Sequence, residues 1–459
     1  MLKRILKEES HLYFKKRLTS VQIIILFYLG AVTISTLLLS LPIAHNPGVD
    51  LSFIDALFTA ASAVSVTGLT VVNTAETFSG VGAFIIAVVL QIGGVGVMTL
   101  GTFIYMILGK KIGLKQRQLI RIDHNQSTLS GLVKLMRQIV GLILLIELVG
   151  AIILSLYYLK YFPTVKEAII QGTFASISAT TNGGFDITGS SLVPFANDYF
   201  VQFITIILII LGAIGFPVLI EVKEFLFRSK EDRIFFRFSL FAKLTTVTYF
   251  LLIIVGVVAI GLFEWNHFFA GKEWHQGLFY ALFQSISTRS AGLSTMDVSE
   301  FSEATQLVLS SLMFIGASPS SVGGGIRTTT FALTILFFWN FSRGKHSIKI
   351  FRREVHESDM RKALVVPLVG VMMCTIAVII LVAIEDFLLM EIIFEVCSAF
   401  GTTGLSMGIT PDLSTIGKLI LIFLMFVGRI GILSFLFMIK GKDTKPEAYR
   451  YPKEHIIIG

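Results

Sequence analysis

The stretch Ser62-Ala63-Val64-Ser65-Val66-Thr67-Gly68-Leu69 follows a short apolar run and precedes a long one. Three further stretches of the chain repeat this pattern, and each ends in a glycine followed by Leu or Phe. They are Ser178-Ala179-Thr180-Thr181-Asn182-Gly183-Gly184-Phe185, Ser287-Thr288-Arg289-Ser290-Ala291-Gly292-Leu293 and Ser398-Ala399-Phe400-Gly401-Thr402-Thr403-Gly404-Leu405. The four glycines are separated by 116, 108 and 112 residues. This near-constant period indicates one unit duplicated into four copies, which can close around a central axis.

The composition is that of a polytopic membrane protein. Of the 459 residues, 54% are hydrophobic and 15% are charged, and the mean hydropathy is +0.80. Soluble domains carry about 25% charged residues. The two cysteines, Cys374 and Cys397, both lie in apolar segments, so a disulfide framework is not expected. The N-terminus lacks the pattern of a cleavable signal peptide.

The net charge of +8 comes from basic residues concentrated in five segments, whereas the connections between these segments contain few Lys or Arg. By the positive-inside rule these segments face the cytoplasm, which predicts a protein of the cell membrane with both termini inside. The predicted cytoplasmic segments are residues 1–20, 109–131, 222–240, 342–361 and 441–459. Because the charges are spread over five short segments, they do not indicate nucleic-acid binding.

Apolar runs of two lengths alternate along the chain. A hydrocarbon core about 30 Å thick needs roughly 20 residues of helix, whereas the run Phe53 to Ser65 reaches only about 20 Å. Each unit therefore reads as a spanning helix, a half helix, a glycine-containing loop and a second spanning helix. The predicted units are residues 21–108, 132–221, 241–341 and 362–440. This arrangement predicts an all-α fold with eight spanning helices and four half helices around one pore, similar to a potassium channel.

A second repeated feature lies on the helix that follows each half helix. Small-residue clusters begin 25, 28, 24 and 24 residues after the loop glycines. They are Gly93-Gly94-Val95-Gly96, Gly212-Ala213-Ile214-Gly215, Gly316-Ala317-Ser318-Pro319 and Gly428-Arg429-Ile430-Gly431. Close helix packing explains small residues in membranes, but it does not explain the shared phase, which supports the fourfold duplication.

The third unit departs from the others between residues 316 and 327. The run from 303 to 341 contains Pro319 and three consecutive glycines, Gly323 to Gly325, which are unlikely to hold a regular helix. Non-helical backbone at membrane depth persists only where it is buried in protein or lines water. We therefore expect this segment inside the molecule, on the cytoplasmic side of the pore axis.

The repeated loops suit a monovalent cation. A half helix entering from outside directs its partially negative C-terminus towards the membrane centre. Glycine then permits the unusual dihedral angles that expose carbonyl oxygens, and rings of carbonyls replace the hydration shell in potassium filters. The loops contain few carboxylates, which disfavours a divalent-cation site. The alternative explanation is that the four stretches are tight turns.

These motifs resemble the Trk/Ktr/HKT superfamily of potassium transporters, and they are closest to the membrane subunits of bacterial Ktr systems (KtrB/KtrD type). The resemblance rests on the T-G-L, N-G-G-F, R-S-A-G-L and T-T-G-L loops, on G-G-G-I-R-T-T-T, and on Gly428-Arg429-Ile430-Gly431. It covers the chain from Val21 to the C-terminus. It implies one potassium pathway per subunit and an intramembrane gating loop at residues 316–330. Glycine at all four filter positions implies potassium over sodium, since serine in place of the first filter glycine is a selectivity variation within the plant branch of the superfamily.

The resemblance also implies the site residues. The expected filter residues are Val66, Thr67, Gly68, Asn182, Gly183, Gly184, Ser290, Ala291, Gly292, Thr402, Thr403 and Gly404. The expected gate residues are Gly316, Ser318, Ser320, Ser321, Gly323, Gly324, Gly325 and Arg429. The implied partners are a second copy, forming a homodimer, and a cytoplasmic ring of RCK subunits (KtrA or KtrC type). ATP or ADP is expected on that ring and no cofactor on this chain, whose transported ion is K⁺, with Na⁺ as a candidate activator.

Three arginines lie at or near membrane depth, where an unpaired charge is costly. We expect Arg429 to hydrogen-bond at the loop of residues 316–327 and form part of the gate. Arg289 is expected to brace the filter against a carboxylate such as Glu395 or Asp55. Fixed scaffold pairing is the alternative for both. Arg327 is expected to extend towards the membrane surface.

Two functions other than potassium transport are the alternatives. A secondary transporter of an organic solute also uses broken helices, but such transporters usually have two repeats and a midplane cavity. A membrane enzyme would need a paired catalytic constellation at depth, and none is visible, so the chain is not expected to be an enzyme. A measured flux of potassium or rubidium would distinguish a potassium transporter from these two alternatives.

Overall fold

The computed structural model describes residues 20–96, 132–345 and 347–440, together with residues 452, 454 and 456. The predicted segments 1–20 and 109–131 and most of 441–459 therefore lie outside the described residues. The described part is built from helices and confirms the predicted all-α class. Its one sheet is a short antiparallel hairpin of β1 (Lys349–Ile350) and β2 (Arg353–Glu354).

The helices follow one another in four similar sets. The first set comprises α1 (Ser20–Leu39), α2 (Phe53–Ser65), α3 (Thr74–Thr77) and α4 (Gly80–Val95). The second comprises α5 (Leu132–Tyr158), α6 (Val165–Thr181), α7 (Tyr199–Ala213), α8 (Phe216–Leu226) and α9 (Lys230–Ile234). The third comprises α10 (Leu240–Glu264), α11 (Trp274–Ser287), α12 (Glu303–Ile315) and α13 (Thr328–Phe341). The fourth comprises α14 (Glu357–Ile384), α15 (Leu389–Gly401), α16 (Thr415–Ile430) and α17 (Ile432–Lys440). Short 3₁₀ turns at Pro42–Ala44, Val193–Phe195 and Val298–Glu300 lie in the connections.

The half helices begin at defined caps. Ser52 accepts a hydrogen bond from the Asp55 N–H at the start of α2, and Thr164 accepts one from the Glu167 N–H at the start of α6. These side chains satisfy amide groups that a helix start leaves without intrahelical partners. The 13 residues of α2 extend about 20 Å, which confirms that this helix is too short to cross a membrane.

The first helix of each set is long and apolar. In the described residues α1, α5, α10 and α14 are long and apolar enough to cross a membrane. Many large apolar side chains on the outer surface are exposed, such as Leu262 at 73% and Phe84 at 68%. An apolar exterior on a chain of this size is expected where the surrounding solvent is lipid.

The second long helix of the second and fourth sets is not straight, which corrects the prediction of one continuous spanning helix at each of these places. Helices α7 and α8 meet at 105°, and α16 and α17 meet at 102°. The breaks fall at Gly215 (φ 103°) and Gly431 (φ 88°). A positive φ cannot continue a right-handed helix. In the first set, helix α4 ends at Val95, and the residues beyond Gly96 lie outside the described part.

The small-residue clusters pack behind the half helices. In three sets a glycine of the helix after the loop packs closely against a half helix. A Cβ on this glycine would collide with the carbonyl oxygen of the residue four positions before the loop glycine. The pairs are Gly93 with Val64, Gly212 with Thr180, and Gly428 with Phe400. Close approach through small residues is typical of membrane helices, and the repeated contact explains why these clusters share the phase of the loops.

Candidate functional site

The four loop glycines meet in one ring. A Cβ added to Gly68 would lie 2.8 Å from the Gly184 Cα, and one added to Gly184 would lie 3.2 Å from the Gly292 Cα. In the same way, a Cβ added to Gly292 would lie 3.1 Å from the Gly404 Cα, and one added to Gly404 would lie 3.0 Å from the Gly68 Cα. Each glycine thus touches its neighbours in chain order. We call these four residues the glycine ring.

Backbone geometry makes glycine necessary at each ring position. The φ angles of Gly68, Gly184, Gly292 and Gly404 are 91°, 67°, 71° and 93°, in the region that other residues rarely adopt. The carbonyl oxygen of Gly183 would lie 2.7 Å from a Cβ on Gly68. At each of the other three ring glycines, an added Cβ would likewise meet the carbonyl oxygen of the residue before the next ring glycine. The ring is therefore an arrangement of backbone atoms, with carbonyl oxygens from four loops close together.

Three of the four loops leave their half helix in the same way. Val66, Asn182 and Thr402 adopt left-handed conformations with φ of 56°, 54° and 47°. The next N–H in each loop then donates to a serine carbonyl at 2.7 to 2.9 Å, the pairing of a Schellman motif. The third loop is one residue shorter, counted from the serine to the ring glycine. In this loop the Ala291 N–H donates to the Ser287 carbonyl at 2.9 Å.

Four serine side chains support the ring, and the sequence analysis assigned no role to them. The Ser62 hydroxyl accepts from Gly68 N–H and the Ser398 hydroxyl accepts from Gly404 N–H, both at 3.1 Å. In the other two loops the hydroxyl donates to the carbonyl after the glycine, both at 2.5 Å, from Ser178 to Phe185 and from Ser287 to Leu293. The sequence feature that could have predicted this support is the serine at the start of each repeated stretch.

The segment 316–327, which we call the intramembrane loop, lies against the ring. The Gly324 N–H donates to the Ser290 hydroxyl at 3.2 Å, and that hydroxyl donates to the Thr402 carbonyl at 2.5 Å. A Cβ on Gly324 would lie 3.0 Å from the Gly428 carbonyl oxygen. Most of the loop is buried, as the sequence analysis predicted for non-helical backbone at this depth.

The loop is also joined to the break between α7 and α8. Ser318 N–H donates to the Ala213 carbonyl at 3.1 Å, and Val322 N–H donates to the Gly212 carbonyl at 3.3 Å. In return, Phe216 N–H donates to the Ser320 carbonyl at 2.8 Å. The loop therefore connects the second, third and fourth sets of helices.

Two arginines bind carbonyl groups of the loop. Arg429 donates to the carbonyls of Val322 and Gly93, which confirms the predicted hydrogen bond at the loop; its part in a gate stays a prediction. Arg327 donates to the carbonyls of Gly323 and Ser318. The expectation that Arg327 extends to the membrane surface is therefore wrong, because the folded loop supplies acceptors within its reach.

Arg289 is fully buried, but its predicted carboxylate partner is wrong. Its guanidinium donates to the Leu312 carbonyl at 2.7 Å and reaches the Gly316 carbonyl at 3.5 Å. Glu395 instead accepts from Ser406 and Thr410, and Asp55 pairs with Lys418 at 2.8 Å. The Leu312 carbonyl also accepts from the Gly316 N–H at 3.2 Å, and a carbonyl oxygen has two lone pairs, so the end of α12 can accept a second hydrogen bond from Arg289.

The structure brings the predicted filter residues together around the ring and the predicted gate residues beside it. All of them are buried or half-buried. Among the described residues, no group of three or more His, Cys, Asp and Glu side chains is placed to hold a metal ion. Each ring glycine has close to it the backbone carbonyl oxygen of the residue before the next ring glycine, and rings of such carbonyls can replace the hydration shell of an ion.

Comparisons with known proteins agree with this geometry. The family model described as "TrkH: Cation transport protein" matches residues 4–443. The chain is 58% identical to Ktr system potassium uptake protein D of Bacillus subtilis, over 96% of this chain and 98% of that one. It is 36% identical to Ktr system potassium uptake protein B of the same organism, over 96% and 97%. The crystal structure of the potassium transporter TrkH from Vibrio parahaemolyticus shares the fold, with a TM-score of 0.73, 18% identity and coverage of 95% and 87%.

Proposed function

The chain belongs to the TrkH family of cation transport proteins, and from this premise we propose that it is the ion-translocating subunit of a Ktr-type potassium uptake system. Its relatives over nearly full length are named as potassium uptake proteins. The family is one of transporters, in line with the expectation that the chain is not an enzyme. As a membrane protein with several apolar spans, it has the architecture that this function requires.

We propose that the glycine ring is the selectivity filter. The observation that carries this proposal is the contact of Gly68, Gly184, Gly292 and Gly404 in chain order, with the preceding carbonyls beside them. The C-terminal ends of four half helices contribute partial negative charge at the same point. A narrow ring of backbone atoms suits a dehydrated monovalent ion, whereas an organic solute would need a wider cavity lined by side chains.

We propose that the intramembrane loop is the gate and that Arg429 holds it in place. The support is that the loop touches Ser290, next to the ring, while its other contacts reach three sets of helices. The hydrogen bonds from Arg429 and the backbone bonds to α7 hold the loop without involving the ring glycines. Opening of the loop would break these bonds and also the bond of Gly324 to Ser290, through which the loop is linked to the ring.

We further propose that both termini face the cytoplasm of the cell membrane, that two copies form a homodimer, and that an RCK ring binding ATP or ADP docks on the cytoplasmic face. The charge distribution supports the topology, and the family resemblance motivates the partners. Sodium is proposed as an activator, with potassium as the transported ion.

The test is rubidium or potassium uptake into proteoliposomes, with sodium as the competing ion. Wild type is compared with Gly404→Ser, whose Cβ would meet the Thr67 carbonyl and the Gly68 Cα. Gly408→Ser is the matched control, because Gly408 has a similar φ of 95° but nothing within 4 Å of an added Cβ. We expect potassium uptake by wild type and control, and lost selectivity in Gly404→Ser.

If wild type carries no ion, the same assay is repeated with a KtrA or KtrC type ring and nucleotide. Absence of flux under both conditions would overturn the potassium pathway. Equal selectivity in wild type and Gly404→Ser would leave the transport function standing but would reject the ring as the filter.

A further inference from the structure

The segment 216–238 follows the break at Gly215 and contains α8 and α9. Helix α8 leaves α7 at an angle of 105°. Helix α7 has 15 residues, which extend about 22 Å, so it does not cross a membrane alone, and the start of α8 still contacts the intramembrane loop at Phe216. The proposed topology puts the basic residues 222–240 in the cytoplasm, so the segment beyond Glu221 emerges at the cytoplasmic surface of the membrane.

This segment is folded around its own contacts. Arg233 Nε donates to the Arg228 carbonyl at 3.1 Å beyond the end of α8, and the Glu221 carboxylate accepts from the N–H and hydroxyl of Ser239 at 2.9 and 2.6 Å. Three rings, those of Phe225, Phe236 and Phe238, pack together, with centroid distances of 5.0 to 5.7 Å.

Despite this packing, three large apolar side chains point outward. Phe227 is 83% exposed, Ile234 81% and Phe235 84%. Single exposed apolar residues are common, but three within residues 227–235, beside basic residues, indicate an interaction surface. We call these three residues the exposed patch. The exposed basic residues Arg228 and Arg237 lie beside these positions in the chain.

We propose that the segment 216–238 is an interfacial anchor that inserts Phe227, Ile234 and Phe235 at the boundary between headgroups and acyl chains. A helix lying in the plane of the interface buries its apolar side by roughly 5–10 Å and places Lys and Arg at the headgroups. Anionic phosphates of the cytoplasmic leaflet are the chemical partners of Arg228 and Arg237. The choice of leaflet rests on the topology proposed above.

The anchor is coupled to the proposed gate. The first residue of α8, Phe216, donates its N–H to the Ser320 carbonyl of the intramembrane loop at 2.8 Å. The backbone between this bond and the exposed patch is a short helix, which transmits displacement as a rigid body. Lipid that holds α8 in place therefore also holds one side of the loop.

The experiment uses the full chain in nanodiscs of phosphatidylcholine, with and without phosphatidylglycerol. Phe235→Cys carries an environment-sensitive fluorophore, in a background in which Cys374 and Cys397 are replaced by Ala. Glu231→Cys is the matched control, because Glu231 is a charged, exposed residue of α9 that lies four positions before Phe235. We expect blue-shifted emission and quenching by spin-labelled lipid at position 235 but not at 231, with a larger effect when phosphatidylglycerol is present.

Equal access of an aqueous quencher to both positions would overturn the proposal. Protection of position 235 only after addition of a cytoplasmic regulatory ring would also overturn it and assign the patch to a protein partner. Ion flux measured on the same variants in vesicles is a separate readout, so a failure of the anchor is distinguishable from a failure of the transport function.

Discussion

The glycine ring and the intramembrane loop touch each other, yet they are held by different kinds of contact. The ring is supported locally, since each glycine follows a half helix and is steadied by a serine of its own loop. The loop is supported from a distance, by the carbonyls of α7 and by the side chains of Arg327 and Arg429.

This difference separates two tasks. Backbone packing without room for a Cβ allows little adjustment, which suits a ring that selects an ion by fixed carbonyl positions. Side-chain hydrogen bonds between distant segments can break without unfolding their neighbours, which suits a segment that opens and closes. The predictions below test this division, from the ring to the finer contacts.

The largest expected effect is on the ring itself. Gly292→Ala would place a Cβ 3.1 Å from the Cα atoms of Gly184 and Gly404, and against the Thr403 carbonyl, at a φ of 71°. A left-handed conformation alone costs about 1–3 kcal/mol for a residue other than glycine. We expect rubidium flux in proteoliposomes to fall to the level of empty vesicles. Gly408→Ala, with the same kind of φ and open space, should retain flux; equal loss in both would reject the steric argument.

The next effect concerns the loop. Arg429→Gln removes the charged donor to Val322 and Gly93. A hydrogen bond to a charged group is worth roughly 1.5–3 kcal/mol, so we expect basal flux in the absence of any regulatory ring to rise about tenfold. Selectivity for potassium over sodium should stay the same, because the ring is untouched. Phe423→Leu, at an exposed position on the same helix, is the control, and unchanged basal flux in Arg429→Gln would contradict the proposed gate.

A smaller effect is expected where the two regions meet. Ser290→Ala removes the hydroxyl that links the Thr402 carbonyl to the Gly324 N–H. A neutral hydrogen bond contributes about 0.5–1.5 kcal/mol. We expect basal flux to rise by roughly two- to tenfold, with a measurable loss of selectivity, since both sides of the contact lose a partner. If only one of the two quantities changes, the regions are less coupled than the contact suggests. Ser342→Ala, at an exposed helix end, serves as the control.

The contrast also explains what the sequence could predict. The ring is encoded locally, because a short apolar run, a serine and a glycine recur in each unit. The period of this pattern was therefore enough to predict that the four glycines meet around one axis. The bends at Gly215 and Gly431 were missed, because a glycine in an apolar run can either pack against a neighbour or break the helix. Tertiary contacts decide between the two.

Arginine partners were the least predictable feature. Arg289 was expected to pair with a carboxylate, but Glu395 and Asp55 have other partners. The acceptors it uses are the backbone carbonyls of Leu312 and Gly316 at the end of α12, which no residue type predicts. Arg429 was predicted correctly at the level of its hydrogen bond because it shares the phase of the small-residue clusters. The roles of the ring and the loop as filter and gate stay predictions.

The smallest expected effect distinguishes two serines within the ring's support. Ser398→Ala leaves the Gly404 N–H without the acceptor it has at 3.1 Å, whereas the Thr403 N–H keeps its bond to the Ser398 carbonyl at 2.9 Å. Loss of one neutral hydrogen bond, about 1 kcal/mol, should lower potassium over sodium selectivity by roughly two- to fivefold at unchanged maximal flux. Ser178→Ala is the matched variant, because its hydroxyl donates to the Phe185 carbonyl and its loss leaves no ring N–H unpaired. A larger loss of selectivity in Ser178→Ala than in Ser398→Ala would show that the loop behind the glycine, rather than the glycine amide, sets the position of the ring.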